Sequence, residues 1–434
     1  MFHPTGFADL AGKRVGIFGY GVEGRAAEQR LRDVATSLVL VDDAPGRGND
    51  VLLSSEGGLE ALAHCDVVLK SPGIPRRRPD VLELEERGVI VTSALNLWFH
   101  EIDRSRVVAV TGTKGKSTTT SLIAFCFQCL DEPALALGNL GRPPYDPTID
   151  TTTAQLIVEV SSFQCVDITI APESVVVTSL GSDHLDWHGS LEAYQSDKLS
   201  LTRVPGRHDT FVPESPIFHA RIDELGGDVH FEAADTTGLA GSLNLLGAHN
   251  DANVALALGV VAKRTGIARD ALHALVAKKA SSFSPLPGRL TLVSTEDVKG
   301  HLLQFVDDGL ATSALATIAA LEVFEDRHVA LVVGGFDRGI DYHELAEVII
   351  QRRWPTVVIA MGDAGKRIAS TVRDATSSIA TIEVSSMLEA LASARSFLTD
   401  GGVVLLSPAA PSFDVYRDWR ERSTDFARSI DATR

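Results

Sequence analysis

The chain has 434 residues, 44% of them apolar, which is enough to form more than one hydrophobic core. Its formal net charge of −17 argues against a nucleic-acid partner, although a local pocket can still bind a small phosphorylated ligand. There is no apolar run of membrane-spanning length, no signal-peptide core at the N-terminus and no zinc-type spacing among the four cysteines. These features predict a reduced, soluble, cytoplasmic protein without membrane insertion.

Short apolar runs alternate with amphipathic helical stretches along almost the whole chain. In chain order, the runs that predict strands include R-V-G-I-F-G, S-L-V-L-V-D, D-V-V-L-K-S, R-V-V-A-V-T-G, Q-L-I-V-E-V-S, S-V-V-V-T-S-L, V-A-L-V-V-G-G, T-V-V-I-A-M-G and G-V-V-L-L-S-P. They are apolar nearly end to end, as strands buried on both faces must be. Their alternation with helices predicts an α/β fold with parallel sheets. A charged stretch near 105 and a proline-containing one near 288 predict domain boundaries, giving domains 1–105, 106–288 and 289–434.

A first glycine cluster, Gly19-x-Gly21-x-x-Gly24, follows the first predicted strand and begins a helix. Asp42 ends the next strand at about the spacing of a dinucleotide-binding fingerprint. The pattern indicates that backbone approaches a phosphate at a helix N-terminus. NAD satisfies this pattern, another nucleotide diphosphate satisfies it equally, and glycines used only for tight packing are a third interpretation.

A second glycine cluster, T-G-T-K-G-K-S (111–117), lies between the predicted strand R-V-V-A-V and a helix. In a phosphate-binding loop the backbone N–H groups hold the β- and γ-phosphates. Lys116 would add positive charge and Ser117 would bind Mg²⁺. The loop departs from the usual pattern because Val110 stands where a glycine is common. Two successive phosphate loops predict an ATP-using enzyme and are hard to explain with a dehydrogenase.

Two further segments carry candidate metal ligands. Glu159 ends a buried strand, where a carboxylate is costly unless it meets a metal or a partner; a surface strand end is the alternative. The segment T-S-L-G-S-D-H-L-D-W-H-G predicts a loop, and its carboxylates and histidines suggest contacts with Mg²⁺ and substrate. These side chains are Asp183, His184, Asp186 and His188. Lys198 follows on a predicted helix and, taken alone, is typical of a solvated lysine.

Together these segments resemble the Mur ligase family over essentially the whole chain. After T-G-T-K-G-K-S, the blocks E-V-S-S-F-Q, D-H-L-D, G-A-H-N-D-A-N, L-P-G-R-L and L-L-S-P-A-A-P-S-F-D follow in family order. S-P-G-I-P (71–75) and E-V-S-S-F-Q are similar to the branch that adds glutamate to UDP-N-acetylmuramoyl-L-alanine. The resemblance implies a monomeric, cytoplasmic, ATP- and Mg²⁺-dependent ligase that forms an acyl phosphate during peptidoglycan precursor synthesis.

The resemblance also implies site residues, within a Rossmann-like first domain, a central P-loop ATPase domain and a Rossmann-like third domain. For the UDP substrate they are Gly21, Val22, Glu23, Asp42, Ser71, Gly73, Asn139, Ser161 and Gln164. For ATP they are Gly112, Thr113, Lys114, Gly115, Lys116, Ser117, Thr118, Asn253, Arg289 and Asp308. For Mg²⁺ they are Ser117, Glu159, His184 and Lys198, the last after carbamylation. Lys116, Glu159, His184 and Lys198 would be catalytic.

Departures from the D-glutamate-adding ligases cluster in the third domain. Where those ligases have D-S-K-A-T-N, residues 308–313 are D-G-L-A-T-S, so Leu310 replaces the lysine. In G-G-F-D-R-G (334–339), Arg338 stands where the family has a lysine for the amino acid. A subfamily that adds L-glutamate resembles this pattern, so we expect L-glutamate as the substrate. The implied glutamate residues are Thr312, Arg338, Ser412, Phe413 and Trp419.

Other assignments stay open at the level of sequence. Drift within a D-glutamate ligase is one, because an arginine can replace a lysine against a carboxylate. A folylpolyglutamate synthase-like ligase shares the T-K-G-K-S loop but lacks the glycine-rich domain ahead of it. An NAD-dependent dehydrogenase explains the first glycine cluster and leaves the second without a role. A non-catalytic nucleotide-binding module would make Glu159 and Lys198 dispensable.

Overall fold

The computed structural model describes residues 3–183 and 185–434. These residues form an α/β fold with three mainly parallel sheets, which confirms the predicted fold class. The chain divides into two compact units, one of residues 1–239 and 251–280 and the other of residues 240–250 and 281–434. The first unit contains two of the sheets and the second unit contains the third. The boundaries near 105 and 288 stay predictions; both fall between sheets.

The first sheet is parallel, with strand order β3-β2-β1-β4-β5. Its order reverses between β1 and β4, which is where open α/β sheets bind ligands beyond the carboxyl ends of their strands. Buried faces of the helices cover the sheet, and Ser93 caps α4 by accepting a hydrogen bond from the backbone N–H of Asn96. The elements are β1 (Arg14–Phe18), α1 (Val22–Leu31), β2 (Ser37–Asp42), β3 (Val51–Leu53), α2 (Gly58–Ala63), β4 (Val67–Lys70), α3 (Pro79–Glu86), β5 (Ile90–Thr92) and α4 (Ala94–Glu101).

The second sheet is also parallel, with strand order β11-β10-β9-β6-β8-β7. Its central strand β6 is buried at every position, as the continuous apolar run predicts. The elements are β6 (Val107–Thr111), α5 (Lys116–Cys129), β7 (Ala134–Gly138), β8 (Gln155–Glu159), α6 (Ser162–Cys165), β9 (Ser174–Val177), α7 (Leu185–His188), α8 (Leu191–Arg203), β10 (Asp209–Pro213), α9 (Pro216–His219), β11 (Asp228–Glu232), α10 (Leu239–Ser242), α11 (His249–Thr265) and α12 (Arg269–Lys279). The carboxyl ends of β6, β8 and β9 therefore lie side by side.

The third sheet has strand order β12-β13-β17-β14-β15-β16 and is parallel except for the β12–β13 hairpin. Lys299 and Gly300 both have positive φ, as the tight turn of a hairpin requires. Apolar clusters cover both faces of the sheet. The elements are β12 (Thr291–Val298), β13 (His301–Asp307), α13 (Ala314–Glu322), β14 (Val329–Gly334), α14 (His343–Gln351), β15 (Thr356–Met361), α15 (Gly362–Ala375), β16 (Ala380–Glu383), α16 (Met387–Phe397), β17 (Gly402–Leu406) and α17 (Trp419–Ala432).

Candidate active site

The phosphate loop connects β6 to α5 and is held by residues that follow β9. Gly112 and Gly115 have φ values of 142° and 84°, which favour glycine. A Cβ on Gly112 would lie 2.0 Å from Thr178 Oγ1, so a side chain cannot fit there. Ser179 Oγ accepts from the backbone N–H of Lys114 at 2.8 Å. The loop is thus fixed in shape, and it presents the N-terminus of α5, where backbone N–H groups favour an anion.

Two lysines meet at this loop. Lys116 Nζ donates to Gly112 O at 2.8 Å and to Thr113 O at 3.1 Å, and Lys198 Nζ donates to Gly112 O at 2.9 Å. Lys198 is only 1% exposed, which rules out the solvated helix lysine. Burial, together with the nearby charge of Lys116, lowers the pKa of Lys198 to about 7. A substantial share of this side chain is therefore a neutral amine at neutral pH.

Glu159 lies at the carboxyl end of β8 and is 1% exposed, so it is not at a surface strand end. Asn139 Nδ2 donates to its Oε1 at 3.1 Å, whereas its Oε2 has no hydrogen-bond partner among the described residues. A buried carboxylate oxygen without a partner is costly, and it is the ligand type that Mg²⁺ prefers. Glu159 therefore fits the metal site predicted for it. Ser117, the second predicted ligand, is also buried, in the first turn of α5.

The segment predicted as a loop with metal and substrate contacts is partly helical, because α7 occupies its second half. His184, predicted to be catalytic and a metal ligand, lies outside the described residues, as does the side chain of Asp186. Asp183 lines the cavity described next. Among the described residues, no three His, Cys, Asp or Glu side chains are grouped closely enough to hold a metal on their own.

A cavity of about 620 Å³ lies within the first unit and is bordered by residues that follow strands of both its sheets. It brings the predicted UDP-substrate residues, except Gln164, together with Lys116 and Lys198. This volume is in the range of small-molecule and cofactor sites. The predicted residues on its wall are Gly21, Val22, Glu23, Asp42, Ser71, Gly73, Asn139 and Ser161.

The glycines of the first cluster serve two different purposes. A Cβ on Gly24 would lie 2.3 Å from Gly19 O, and one on Gly19 would lie 2.7 Å from Ser71 Cβ, so tight packing requires both glycines. A Cβ on Gly21 would meet no atom within 4 Å, and Gly21 lines the cavity. Asp42 holds the loop by accepting a backbone N–H at 2.6 Å. Gly21 therefore leaves open space for a ligand beside the N-terminus of α1.

Gln164, predicted to be a UDP-substrate residue, is not among the residues that line the cavity, and its role stays a prediction. Its Nε2 donates to Glu23 Oε1 at 2.7 Å, and its Oε1 accepts the backbone N–H of Ser161 at 2.7 Å, closing a capping box on α6. Tyr145 donates to the other oxygen of Glu23 at 3.0 Å. Burial raises the pKa of Glu23 to about 7. Gln164 thus connects α6 to α1 and is not on the cavity wall.

Two further residues of this region have structural contacts of note. Asn253, predicted to contact adenine, lies against the phosphate loop, since a Cβ on Gly115 would be 2.5 Å from its Oδ1. Tyr194 was not assigned a role from sequence. Its hydroxyl donates to Thr113 Oγ1 at 3.1 Å, and its ring centroid lies 4.6 Å from Lys198 Nζ. Its i, i+4 spacing from Lys198 on a predicted helix was the available signal.

In the second unit, the residues predicted to contact ATP differ in exposure. Arg289 is exposed, whereas Asp308 is partly buried. Asp308 accepts hydrogen bonds from Ser407 Oγ at 2.8 Å and from the backbone N–H of Leu290 at 3.3 Å. Burial raises the pKa of Asp308 to about 7. The carboxyl group of Asp308 is thus engaged within its own unit.

The residues predicted to bind glutamate are mostly on the surface of the second unit. Thr312, Arg338 and Phe413 are exposed, and Ser412 is buried. Trp419 is half-buried. Its ring packs against Gly288, since a Cβ added to Gly288 would lie 2.8 Å from that ring. Trp419 therefore packs against the segment that precedes β12.

Sequence reasoning missed Arg422, a buried residue of α17. Its guanidinium donates to Gly309 O at 2.9 Å, and to Gly334 O and Ala410 O at 3.2 Å. Burial lowers its pKa to about 10. These carbonyls belong to the last residue of β14 and to the loops that follow β13 and β17, so Arg422 holds together the region that carries the predicted glutamate residues. Nothing in the pattern of this polar helix predicted that its arginine would be buried and bonded to three carbonyls.

The comparisons with known proteins agree with one another. The Mur ligase middle domain model matches residues 110–216. Over 98% of its length, the chain is 36% identical to the UDP-N-acetylmuramoyl-L-alanine–L-glutamate ligase of a Micromonospora species, of which the match covers 97%. It is 35% identical to the enzyme of the same name from Salinispora tropica, with 98% of both chains covered.

Solved structures share the fold. The UDP-N-acetylmuramate–alanine ligase MurC of Thermotoga maritima matches with a TM-score of 0.57 and 17% identity, covering 97% of this chain and 100% of that one. MurF of Acinetobacter baumannii matches with a TM-score of 0.55 and 15% identity, covering 96% and 93%. Among the described residues, none of the helices has the length and apolar character to cross a membrane. The identities over nearly the full length show that the chain belongs to the Mur ligase family of ATP-dependent ligases.

Proposed function

We propose that the protein joins L-glutamate to UDP-N-acetylmuramoyl-L-alanine with cleavage of ATP, as a step in peptidoglycan precursor synthesis. The observation that carries the proposal is the cavity in which the UDP-substrate residues and the two lysines of the phosphate loop meet. The relatives described above bear the name of this activity. We further propose that it acts as a monomer in the cytoplasm, where ATP and nucleotide-linked precursors are available.

The site residues have distinct tasks in this reaction. The substrate carboxylate must approach the γ-phosphate of ATP, although both are anionic. Lys116 and the N-terminus of α5 offset this charge and align the groups, which is most of what a phosphoryl-transfer site contributes. The resulting acyl phosphate then reacts with the amine of glutamate, and water must be kept from hydrolysing it first.

The same residues fit Mg²⁺. Glu159, with its unpartnered buried oxygen, would hold the ion with Ser117, His184 and carbamylated Lys198. When bound, Mg²⁺ offsets the charge of the phosphates. Carbamylation joins the neutral amine of Lys198 to CO₂ with release of a proton. The side chain, a cation when protonated, thereby becomes an anion. A pKa of about 7 supports it, because only the neutral amine reacts.

The choice of L-glutamate over D-glutamate rests on the second unit. Leu310 and Arg338 replace lysines of the D-glutamate-adding ligases. Arginine presents a wider, planar fork of donors than lysine, so a bound carboxylate must turn to meet it. The relatives named as L-glutamate ligases support the same choice.

A ligation assay with each enantiomer tests the proposal. Purified protein is incubated with ATP, Mg²⁺, UDP-N-acetylmuramoyl-L-alanine and either L- or D-glutamate, and ADP and the ligated product are measured. We expect product chiefly from L-glutamate and none when the UDP compound is omitted. Product chiefly from D-glutamate would contradict the enantiomer and leave the ligase assignment intact. Absence of product with both would contradict the ligase assignment.

A further inference from the structure

A chain of buried hydrogen bonds links Ser162, His188 and Asp197. His188 Nε2 lies 3.0 Å from Ser162 Oγ, and His188 Nδ1 lies 2.8 Å from Asp197 Oδ2. The three residues are nearly buried, at 3%, 5% and 5% exposure. They come from α6, α7 and α8, so the fold brings them together from separate elements. The mechanism proposed above uses none of them.

The two ends of this series of hydrogen bonds line different cavities. Ser162 lines the 620 Å³ cavity that also holds Lys116 and Lys198. His188 and Asp197 line a second cavity of about 550 Å³ in the same unit. Arg77, whose side chain is 69% exposed, donates to Asp197 at 3.1 Å, so this end reaches solvent. The hydrogen-bonded series therefore extends from the candidate active site towards solvent.

The chemistry of the three groups assigns a donor and an acceptor to each hydrogen bond. An ionised carboxylate only accepts, so His188 Nδ1 carries a hydrogen and donates it to Asp197. The Nε2 of the neutral imidazole is then an acceptor, and the hydroxyl of Ser162 donates to it. Ser162 Oγ retains lone pairs that can accept a hydrogen bond from a ligand. A histidine oriented by a carboxylate and bonded to a hydroxyl is an arrangement suited to proton transfer.

We infer that Ser162 and His188 form a proton relay that takes up a proton from the ammonium group of the incoming amino acid. The inference rests on the proposed ligase function. The ammonium group transfers a proton to Ser162 Oγ while the hydroxyl proton of Ser162 passes to His188 Nε2. The freed electron pair on nitrogen forms the new C–N bond, the bond from the acyl carbon to the phosphate oxygen breaks, and the second proton leaves with phosphate.

The surroundings of His188 are suited to this role. Asp197 stabilises the imidazolium that forms, as a carboxylate does beside a catalytic histidine. Tyr194 contacts the imidazole edge-on, with ring centroids 5.1 Å apart. Among the described residues, the rings of Phe163 and Trp187 pack on the imidazole. The cavity beside it is also lined by Arg76, Arg77, Arg203 and Cys165. The arginines oppose a permanent charge on His188, and the cavity gives the proton a way out.

The test compares two nucleophiles in the wild type, His188→Gln and Ser162→Ala. L-Glutamate must lose a proton before it attacks, whereas hydroxylamine is already neutral at pH 7 and traps the acyl phosphate as a hydroxamate. We expect both variants to lower glutamate ligation about 10²-fold, the usual contribution of a general base. Hydroxamate formation should stay close to that of the wild type. His219→Gln, which alters an exposed histidine also paired with a carboxylate, is the matched control.

The pH dependence gives a second measurement. The ammonium of L-glutamate loses its proton to solvent more readily as pH rises, so a base in the protein matters less at high pH. The ratio of the wild-type rate to the His188→Gln rate with L-glutamate should therefore be large at neutral pH and decrease as pH rises. Equal losses with both nucleophiles, or a ratio that does not change with pH, would show that His188 only supports the fold and would overturn the relay. A wild type that forms no hydroxamate would instead contradict the acyl phosphate, and with it the ligase function on which the relay depends.

Discussion

The phosphate loop of the first unit and the predicted glutamate region of the second unit differ in how their side chains are held. At the loop, Lys198 and Glu159 are each 1% exposed, and the backbone is bonded to residues after β9. In the second unit, Arg338 is exposed and Phe413 is 65% exposed. The backbone of this region is fixed by the buried Arg422.

The difference agrees with the chemistry proposed for each region. Groups that stabilise phosphoryl transfer act best when they are already oriented, because reorganisation during the reaction is costly. A region that binds a small, flexible amino acid can leave long side chains in solvent and order them when the ligand binds. Substitutions at the loop should therefore alter turnover, and substitutions in the second unit should alter affinity for glutamate.

The largest effect is expected for Lys116→Ala. Its ammonium bonds to the carbonyls of Gly112 and Thr113, and in the proposed reaction it offsets charge at the phosphates. Ligation should fall by roughly 10³-fold, the scale found when a charge-stabilising group is removed. Steady-state ADP release measures it, with the exposed Lys278→Ala as the control. Near-normal turnover in Lys116→Ala would remove the basis for assigning the loop to ATP.

Lys198→Ala should come next, with a loss of roughly 10²-fold or more that short carboxylates such as acetate partly restore. Rescue is expected because acetate supplies the anionic oxygen that the carbamate would provide. Since the pKa of Lys198 is about 7, wild-type activity at a fixed, limiting concentration of dissolved CO₂ should increase as pH rises through that value and decrease below it. Full activity without any added carboxylate would show that Lys198 has no part in the reaction.

The same lysine has a predictable effect on stability. Its pKa is lower in the folded chain than the ordinary value of 10.5, so between about pH 7 and 10.5 only the unfolded chain binds the proton. Its burial therefore destabilises the fold fully below pH 7, and this cost disappears as pH rises towards 10.5. Lys198→Met should raise the free energy of unfolding most below pH 7 and little near pH 10, as urea titrations would show. Lys116 still bonds to Gly112 O in this variant.

Two glycine variants separate packing from ligand access. Gly24→Ala places a Cβ 2.3 Å from a backbone oxygen and should destabilise the first unit by about 1–3 kcal/mol. Gly21→Ala meets no atom, so its melting temperature should equal that of the wild type while its affinity for the UDP substrate decreases about tenfold. UDP-N-acetylmuramoyl-L-alanine should raise the melting temperature of the wild type, and NAD should not. Stabilisation by NAD alone would reverse the assignment of this site.

The parts that were predictable from sequence are those with local causes. Lys116 and Ser117 could be placed because a strand, a glycine loop and a helix fix one another over a few residues. Glu159 was assigned to a metal site only through the family resemblance, because a carboxylate that ends an apolar strand is, taken alone, more typical of a surface strand end. The buried parallel strands followed from their apolar runs, whereas β12, an edge strand with alternating exposure, carried a weaker pattern.

The parts that were not predictable depend on contacts between distant segments. Gln164 occupies a family motif, yet its amide connects Glu23 and the cap of α6. Trp419 stands where an aromatic residue was expected, and its ring packs against Gly288. His188 was predicted to contact metal or substrate, and its partners Ser162 and Asp197 are 26 and 9 residues away. Tertiary packing determines each of these contacts, and the spacing of residues along the sequence does not reveal it.

The smallest and most selective effect is expected for Arg338→Ala. The neighbouring carboxylate of Asp337 is bonded to Arg367 at 2.6 and 2.8 Å, which leaves the exposed guanidinium of Arg338 to meet a ligand carboxylate. Removing one such charge-assisted pair should raise the KM for L-glutamate about tenfold, with little change in the KM for ATP or in kcat. Arg338→Lys should recover only part of the loss, because a point charge cannot form the bidentate pair.

Initial rates at varied glutamate and varied ATP measure this selectivity, and Arg373→Ala, which breaks an exposed pair on α15, serves as the control. The contrast between the two regions predicts that Lys116→Ala and Arg338→Ala act on different kinetic constants. In the proposed reaction Lys116 stabilises the transition state, whereas Arg338 binds the amino acid throughout. A fall in kcat with unchanged KM in Arg338→Ala would place this arginine with the catalytic groups. A better reaction with D-glutamate in Arg338→Lys would show that this position also sets the enantiomer.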